Sequence, residues 1–443
     1  MRSHVHGQGR VASAAGGRRR AGAQILRDDI AKAQNGESAR KDLRSRRGLD
    51  WLVFFVADIQ TGFGPFVAVF LTTQKWTQVD IGLLLTVSSL VGLLGQIPAG
   101  AIVDASKALR ALVALCLGSI GLSAFALASW PVFILAMATR IAHTMASCIL
   151  GPALVSLSLG LVGENGMSER LGRNAAFASA GTGIAAGVMG ACGYYLSSRA
   201  VFYLAGALVL PAIFALSRIR PGEIGPAQTP RSDPAALVHA LGGLAREKSF
   251  RRFLFCLAMF HLANAAMLPL AASMVTLRSS QAATIMVAAS ILIPQFVMAA
   301  LSQRVGREAR QWGRRPLLLL GFTALALRGL AFSLTGEPVL LAMFQALDGV
   351  SAAILAVVTP LVILDVTRET GHFNLALGIA GCAVGVGAAL STTLSGYLSD
   401  HYGSFAAFNV LTAFAFGGLV AVAALMPETE PDSQKLTPIG DGA

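Results

Sequence analysis

Twelve apolar stretches, each long enough to cross a lipid bilayer, dominate this sequence of 443 residues. A helix needs about 20 predominantly apolar residues to span the hydrocarbon core. Charged residues make up only 13% of the chain, against about 25% in typical soluble domains. The sequence therefore predicts an all-α membrane protein with twelve transmembrane helices.

The apolar stretches, called spans 1 to 12 below, form two groups of six. They lie near 52–71, 81–103, 111–129, 132–160, 175–196, 200–216, 253–275, 284–301, 317–334, 339–363, 375–398 and 404–426. The predicted organisation is a tail at 1–50, an N-terminal half at 51–216, a linker at 217–252, a C-terminal half at 253–426 and a second tail at 427–443.

Lysine and arginine are distributed very unequally between the two ends of the spans. With the N-terminus inside, 30 of the 35 basic residues lie in inner segments, and only Lys75, Arg199 and Arg278 lie in outer loops. Basic residues favour the cytoplasmic side, so the net charge of +12 reflects topology and does not indicate nucleic-acid binding. We expect a multi-pass protein of the inner (plasma) membrane with both termini in the cytoplasm.

The polar segments outside the spans are basic and short. The tail at 1–50 is rich in Arg, Gly and Ala, which predicts disorder and attraction to an anionic lipid surface. The linker contains ALVHALGGLAREKSFRRF, for which we expect a short helix along the inner surface.

Two related loops indicate that the chain is an internal repeat. GAIVDASKALR at Gly100–Arg110 follows span 2, and GREARQWGRRP at Gly306–Pro316 follows span 8. Their first glycines are 206 residues apart. Repeated six-helix halves are typical of transporters whose site lies between the halves.

Two further segments support the repeat. Residues 140–152 align with 348–360, and residues 173–181 align with 373–381, so that the offset drifts from 208 to 200. This alignment sets Arg140 in span 4 opposite a carboxylate in span 10.

The loops resemble the signature loop of the major facilitator superfamily, and the resemblance extends over about residues 50–426. In that family a glycine is followed after three residues by aspartate, then by a basic residue, any residue, a second glycine and two basic residues. The C-terminal copy keeps Gly306, Gly313, Arg314 and Arg315 but has Arg310 in place of aspartate.

The N-terminal copy keeps a different part of the pattern. Gly100 and Asp104 are present, Lys107 replaces the second glycine, and only Arg110 supplies late charge. The resemblance implies that these loops form a conformational latch. A carboxylate at a helix end can pair with basic residues or with the N-terminal dipole of a neighbouring helix; plain positive-inside anchors are the alternative. Other segments resemble a bacterial branch whose members mostly lack an assigned substrate.

Polar side chains concentrate on spans 1, 4, 7 and 10, where a charge at the bilayer centre costs roughly 2.5–3.5 kcal/mol. They are Asp58, Gln60 and Thr61 in span 1, Arg140 and His143 in span 4, His261 and Asn264 in span 7, and Gln345 and Asp348 in span 10. The resemblance implies that these four spans line a central cavity that binds a small solute.

Each ionisable candidate has two interpretations. Asp58 is either a proton carrier or a helix cap at a break near Gly62–Pro65. Arg140 resembles the arginine with which proton-coupled exporters tune a carboxylate, and the alternative is a salt bridge to Asp58 or Asp348.

The remaining candidates are also open. His143 and His261 can accept protons near neutral pH or bond a hydroxyl in the neutral form. Asp348 can bind substrate or pair with a cation. For Arg328 in span 9 we expect snorkelling toward the outer interface near Glu337, and a substrate role is the alternative.

The sequence lacks HExxH, GxSxG and Walker patterns and the soluble segment that an ATPase domain needs. It therefore predicts no enzyme, cofactor or metal site, but a monomeric transporter driven by an ion gradient. Proton-coupled efflux is the first hypothesis; an importer of a small organic anion and a non-transporting sensor are the alternatives. Span 5 has the glycines of the family's exporters without their proline, which leaves the direction open.

Overall fold

The computed structural model describes residues 43–61, 66–225, 234–276, 280–368 and 370–429, and these contain α-helices and no strand. The helices are α1 (43–61), α2 (Phe66–Thr73), α3 (Gln78–Ala105), α4 (Leu109–Ser129), α5 (Phe133–Tyr195), α6 (Ser198–Ala207), α7 (Val209–Ser217), α8 (Pro234–Arg246), α9 (Lys248–Asn264), α10 (Met267–Thr276), α11 (Ser280–Gln311), α12 (Arg314–Leu334), α13 (Pro338–Thr367), α14 (Phe373–Tyr402) and α15 (Ser404–Leu425).

Within the described ranges, eleven helical segments are long and apolar enough to cross a membrane. One of them, α5, has 63 residues and contains both span 4 and span 5. The two parts meet at Gly163, which has φ +65° and ψ 178°, a conformation that glycine adopts without steric cost. Counting α5 as two crossings gives the twelve predicted spans.

Several spans are interrupted helices. Span 6 consists of α6 and α7, and span 7 consists of α9 and α10. At the second interruption the Ala266 N–H donates to Ser391 Oγ at 3.0 Å. A side chain from a neighbouring helix thus satisfies a backbone donor that the helix no longer pairs.

One predicted boundary differs from the structure, and the linker contains the expected helix. Residues 43–50, which we placed in the tail, are part of α1, while 1–42 and 430–443 lie outside the described residues. The helix expected in the linker is α8. Its Ala240 and Leu244 belong to the apolar core of the C-terminal half, which ties this part of the linker to that half.

Glycine contacts within each half confirm the repeat. At Gly181 a Cβ atom would overlap the Phe54 carbonyl oxygen, so α5 and α1 touch through their backbones. At Gly387, 206 residues later, a Cβ atom would overlap the Ala258 carbonyl oxygen, where α14 meets α9. In both halves the fifth span therefore packs on the first through a glycine.

Contacts between the halves follow the same offset. Gly172 of α5 lies against the Ser302 carbonyl oxygen of α11, and Gly378 of α14 lies against the Gln96 carbonyl oxygen of α3. Both pairs are related by 206 residues. The alignment of 173–181 with 373–381 is therefore wrong by six positions, because most of its matches were Ala and Gly residues that recur along both spans.

The glycine contacts predict a position-specific loss of stability. Gly181→Leu inserts a side chain where two backbones touch, and overpacking of this kind typically costs about 1–3 kcal/mol. We expect a lower midpoint of thermal unfolding in detergent. Gly187→Leu in the same helix is the matched control, since that position has nothing within 4 Å. Equal midpoints for the two variants would contradict the proposed packing.

Candidate functional site

The Asp104 carboxylate joins the two halves at the face of the membrane that carries the basic loops, called the basic face below. Its Oδ1 accepts from the Asn374 backbone N–H at 3.1 Å and from Asn374 Nδ2 at 2.8 Å, and its Oδ2 accepts from the Leu375 N–H at 2.9 Å. These are first-turn donors of α14, which have no partner within their own helix. The helix dipole adds to the attraction for a carboxylate.

Gly100 allows this close approach. A Cβ atom at Gly100, one turn before Asp104, would collide with the Asn374 carbonyl oxygen. From α5, Ser156 Oγ donates to Asn374 Oδ1 at 2.9 Å. Asn374 is therefore held by two helices of the N-terminal half. The sequence motif thus identified a real contact between the halves.

The second copy of the motif makes the equivalent contact with different chemistry. Gly306 of α11 lies against the Ser168 carbonyl oxygen and Gly172 of α5. At the position of the missing aspartate, Arg310 pairs with Glu169 at 3.4 Å, and these side chains are 31% and 57% exposed. The backbones approach as in the first copy, but the charged pair is largely exposed.

The other basic residues of the motif bond within their own halves. Arg314 is buried and its Nε lies 3.1 Å from Asp365 Oδ2. The Glu428 carboxylate accepts from the backbone N–H groups of Arg314 and Arg315, at 2.8 and 3.1 Å, where α12 begins after Gly313. Arg110 lies 3.5 Å from the Leu216 carbonyl oxygen.

A further ion pair across the halves was missed by the sequence analysis. Arg368, after α13, lies 3.0 Å from Glu164 of α5. Both line a cavity of about 290 Å³ at the basic face, together with Asp104 and Asn374. This pair could have been predicted from the sequence, because the two residues carry opposite charges and follow spans 4 and 10, which are equivalent in the repeat.

Arg328 organises a polar cluster inside the C-terminal half. Its side chain is 2% exposed and forms an ion pair with Asp348. It also donates to Gln345 Oε1 at 3.2 Å and to Asn264 Oδ1. The predicted snorkelling toward Glu337 is wrong, because the guanidinium finds a carboxylate and two amide oxygens inside the half.

The candidates of spans 1 and 4 are not part of this cluster. Asp58 is 6% exposed and has no hydrogen bond or ion pair among the described residues. The alternative salt bridges of Arg140 to Asp58 and to Asp348 do not form in this structure; Asp348 pairs with Arg328. The predicted helix break at 62–65 lies outside the described residues.

The remaining candidates have local contacts. His143 Nε2 lies 3.3 Å from Ser147 Oγ, one turn along α5, and Thr61 Oγ1 donates to the Ala57 carbonyl oxygen at 2.9 Å. The His261 ring contacts the Phe260 ring, with centroids 5.3 Å apart, and Gln60 is half-buried. The structure thus brings three predicted residues of spans 7 and 10 together through Arg328.

The family model of the Major Facilitator Superfamily matches residues 50–311 and 309–442. The chain belongs to this family. It is 35% identical over 396 residues to uncharacterized MFS-type transporters from two strains of Mycobacterium tuberculosis, with 87% of this chain and 94% of theirs covered. It is 29% identical over 116 residues to the tetracenomycin C resistance and export protein of Streptomyces glaucescens, with 26% of this chain and 21% of that protein covered.

Among solved structures, the outward conformation of FucP, a fucose:proton symporter of E. coli, has a TM-score of 0.71 at 15% identity. The match covers 88% of this chain and 100% of FucP, and it shows the fold. The predicted family and its fold of two six-helix halves are therefore confirmed, and the chain is a multi-pass membrane transporter.

The latch geometry predicts a conformational effect of Asp104→Asn. The amide keeps the shape but loses the charge, which near a helix N-terminus is worth about 0.3–1 kcal/mol and up to about 2 when partly buried. We expect the halves to separate at the basic face, measured as longer distances between spin labels at positions 107 and 307 in a cysteine-free background. Asp80→Asn, in the first turn of the same helix, is the control. Unchanged distances would rule out the latch.

The Arg328 cluster predicts how variants of its ion pair change the stability of the protein. Asp348→Asn leaves the buried guanidinium without a carboxylate; we expect less than the roughly 3–5 kcal/mol typical of a fully buried pair, since Asp348 is 28% exposed. Arg328→Met combined with Asp348→Asn should recover most of the loss in a thermal unfolding assay. A double variant as unstable as Asp348→Asn would show that the pair is not the cause.

Proposed function

We propose that this chain is a secondary active transporter that moves a small solute across the inner membrane by alternating access, coupled to protons and in the direction of efflux. The observation that carries the proposal is the contact of Asp104 with the first turn of α14. It joins the two halves at one face of the membrane, so opening that face requires the contact to break. With the basic loops in the cytoplasm, this conformation is closed to the cytoplasm.

The contacts at the basic face are weak enough to break in a transport cycle. Asp104 contributes at most about 2 kcal/mol through the helix dipole. The pairs Arg310–Glu169 and Arg368–Glu164 have partly exposed members, and exposed ion pairs contribute about 0–1 kcal/mol each. The electrostatic contributions of these contacts sum to a few kcal/mol, comparable to the free-energy difference between two interconverting conformations. A binding solute can therefore shift the equilibrium.

Asp58 is the proposed proton carrier. It is 6% exposed in an apolar helix, and burying a carboxylate without a charged partner is costly. We assign the neutral form of Asp58 to the conformation described here, in which the basic face is closed. We assign its ionised form to the conformation in which the basic face is open. Arg140, with His143 one turn away on α5, is the proposed positive charge that accommodates the ionised carboxylate.

Efflux is favoured by the partial likeness to a protein named for tetracenomycin C resistance and export. The proposed solute cavity includes Gln60, Thr61, His261, Asn264, Gln345 and Asp348. A neutral or cationic organic compound fits this set, since the charge of Arg328 is already balanced by Asp348.

Asp58→Asn separates coupling from transport. Proteoliposomes containing a trapped pH dye would first be screened with organic cations, organic anions, sugars and neutral lipophiles for proton movement. With the compound that responds, we expect Asp58→Asn to abolish gradient-driven transport while labelled counterflow stays within about twofold of wild type, because counterflow needs no net proton release.

Asp80→Asn is the control, since Asp80 is half-buried at the other end of α3 and bonds only Thr77 among the described residues. Normal pH-driven transport by Asp58→Asn would remove Asp58 from the mechanism. Uptake in place of efflux would identify an importer, and the absence of counterflow for every compound would favour a sensor.

A further inference from the structure

A groove of about 630 Å³ lies between α1 and α7 at the basic face, away from the candidate solute residues. It is lined by Leu43, Arg44, Arg47, Gly48, Trp51, Phe55, Pro211, Phe214, Ala215 and Arg218. We propose that this groove is a binding site for an anionic phospholipid, with the phosphate held by the three arginines and an acyl chain against the aromatic rings. The proposal does not depend on the proposed transport activity.

The sequence places these residues on facing sides of the two helices. Arg44, Arg47, Trp51 and Phe55 recur at intervals of three and four, and so lie on one face of α1. On both helices the arginines lie at the basic end and the aromatic residues lie farther into the span. A phospholipid has the same order, with a charged head and an apolar chain.

The α7 side repeats the pattern. Pro211, Phe214, Ala215 and Arg218 are also spaced by three and four residues, and the Arg218 guanidinium lies 4.6 Å from the Phe214 ring centroid. Cation–π contact of this kind positions a guanidinium without neutralising its charge. The arginine therefore stays available to an anion.

The shape of the groove is fixed by contacts between α1 and the C-terminal end of α7. At Gly48 a Cβ atom would lie 3.0 Å from the Ala215 carbonyl oxygen and from Arg218 Cβ, so α1 and α7 are in close contact at its floor. Ser45 Oγ accepts from the Arg220 N–H at 3.2 Å. These contacts fix the spacing between the arginines of the two helices before any ligand arrives.

Within the part of the chain that the structure describes, the arginines of the groove have no acidic partner. Among the described residues, Arg44, Arg47 and Arg218 form no ion pair, whereas nearby Arg170 and Arg173 both pair with Asp50. Guanidinium groups match phosphate oxygens in bidentate geometry. Basic pockets between transmembrane helices on the cytoplasmic side are suited to anionic headgroups.

Exposure favours lipid over the other occupants. Trp51 and Phe214 are 50% and 59% exposed on helices that cross the membrane, where acyl chains are the surrounding solvent. A second copy docking by two-fold symmetry would bring the same arginines together. The preceding segment 1–42 has nine Lys or Arg against four Asp or Glu, so its net charge opposes binding there.

Brominated lipids test the proposal in the full chain. A variant that keeps Trp51, with Trp76, Trp130 and Trp312 replaced by Phe, would be reconstituted in phosphatidylethanolamine vesicles containing a minority of brominated phosphatidylglycerol. We expect several-fold stronger quenching of Trp51 than in vesicles with the same fraction of brominated phosphatidylethanolamine. Equal quenching by the two lipids would overturn the proposal, since it would indicate unselective lipid contact.

The arginines are tested by a matched pair of triple variants in that background. R44Q/R47Q/R218Q should lower the apparent affinity for phosphatidylglycerol about tenfold or more, since each basic residue near an anionic surface contributes appreciably. R251Q/R252Q/R307Q removes the same charge from exposed positions elsewhere on the basic face and should leave the preference within about twofold. An equal loss in both would reduce the effect to net charge and overturn the site.

A deletion of residues 1–40 distinguishes the remaining occupant. We expect the preference for brominated phosphatidylglycerol to be present in the full chain and unchanged by the deletion. Selective quenching that appears only after the deletion would show that the chain's own tail fills the groove, and would also overturn the proposal. The quenching measurements on the unaltered groove remain decisive if the triple arginine variant fails to fold.

Discussion

The arrangement of the two halves depends on one carboxylate at the N-terminus of a helix from the opposite half. Asp104 satisfies two backbone donors of α14 and one side-chain amide, and is 8% exposed. The contact forms only because Gly100 lets α3 touch the Asn374 backbone. It fixes the depth and rotation of α14 against α3, and Gly378 then packs on Gln96 farther along the same pair of helices.

The two copies of the repeat share this backbone geometry but differ in the energy of the contact. Gly306 reproduces the approach of Gly100, yet Arg310 stands where the first copy has aspartate, and its pair with Glu169 is exposed. A carboxylate at a helix N-terminus accepts hydrogen bonds from backbone N–H groups and also gains from the helix dipole. An exposed ion pair contributes little to stability. We therefore expect the α3–α14 contact to oppose opening of the basic face more strongly than the Arg310–Glu169 pair does.

The sequence predicted well the features that are encoded within one short segment. It predicted poorly the features that depend on which sides of two helices are in contact. Hydropathy predicted all twelve spans, and the loop motif singled out Asp104, which contacts the opposite half, because spacing within one loop is visible in sequence. Arg328 was misplaced because its partner Asp348 lies in another helix. Hydropathy within span 9 does not distinguish a side chain that points into the C-terminal half from one that points toward lipid.

The Arg328 cluster also bears on which carboxylate can carry a proton. Protonating Asp348 would leave a guanidinium that is 2% exposed without its counter-ion, which is unfavourable although the partial exposure of Asp348 reduces the cost. Protonating Asp58 breaks no ion pair among the described residues, and it removes the cost of an ionised carboxylate in an apolar helix. Under the proposed proton coupling, the charge distribution therefore favours Asp58 over Asp348 as the proton carrier.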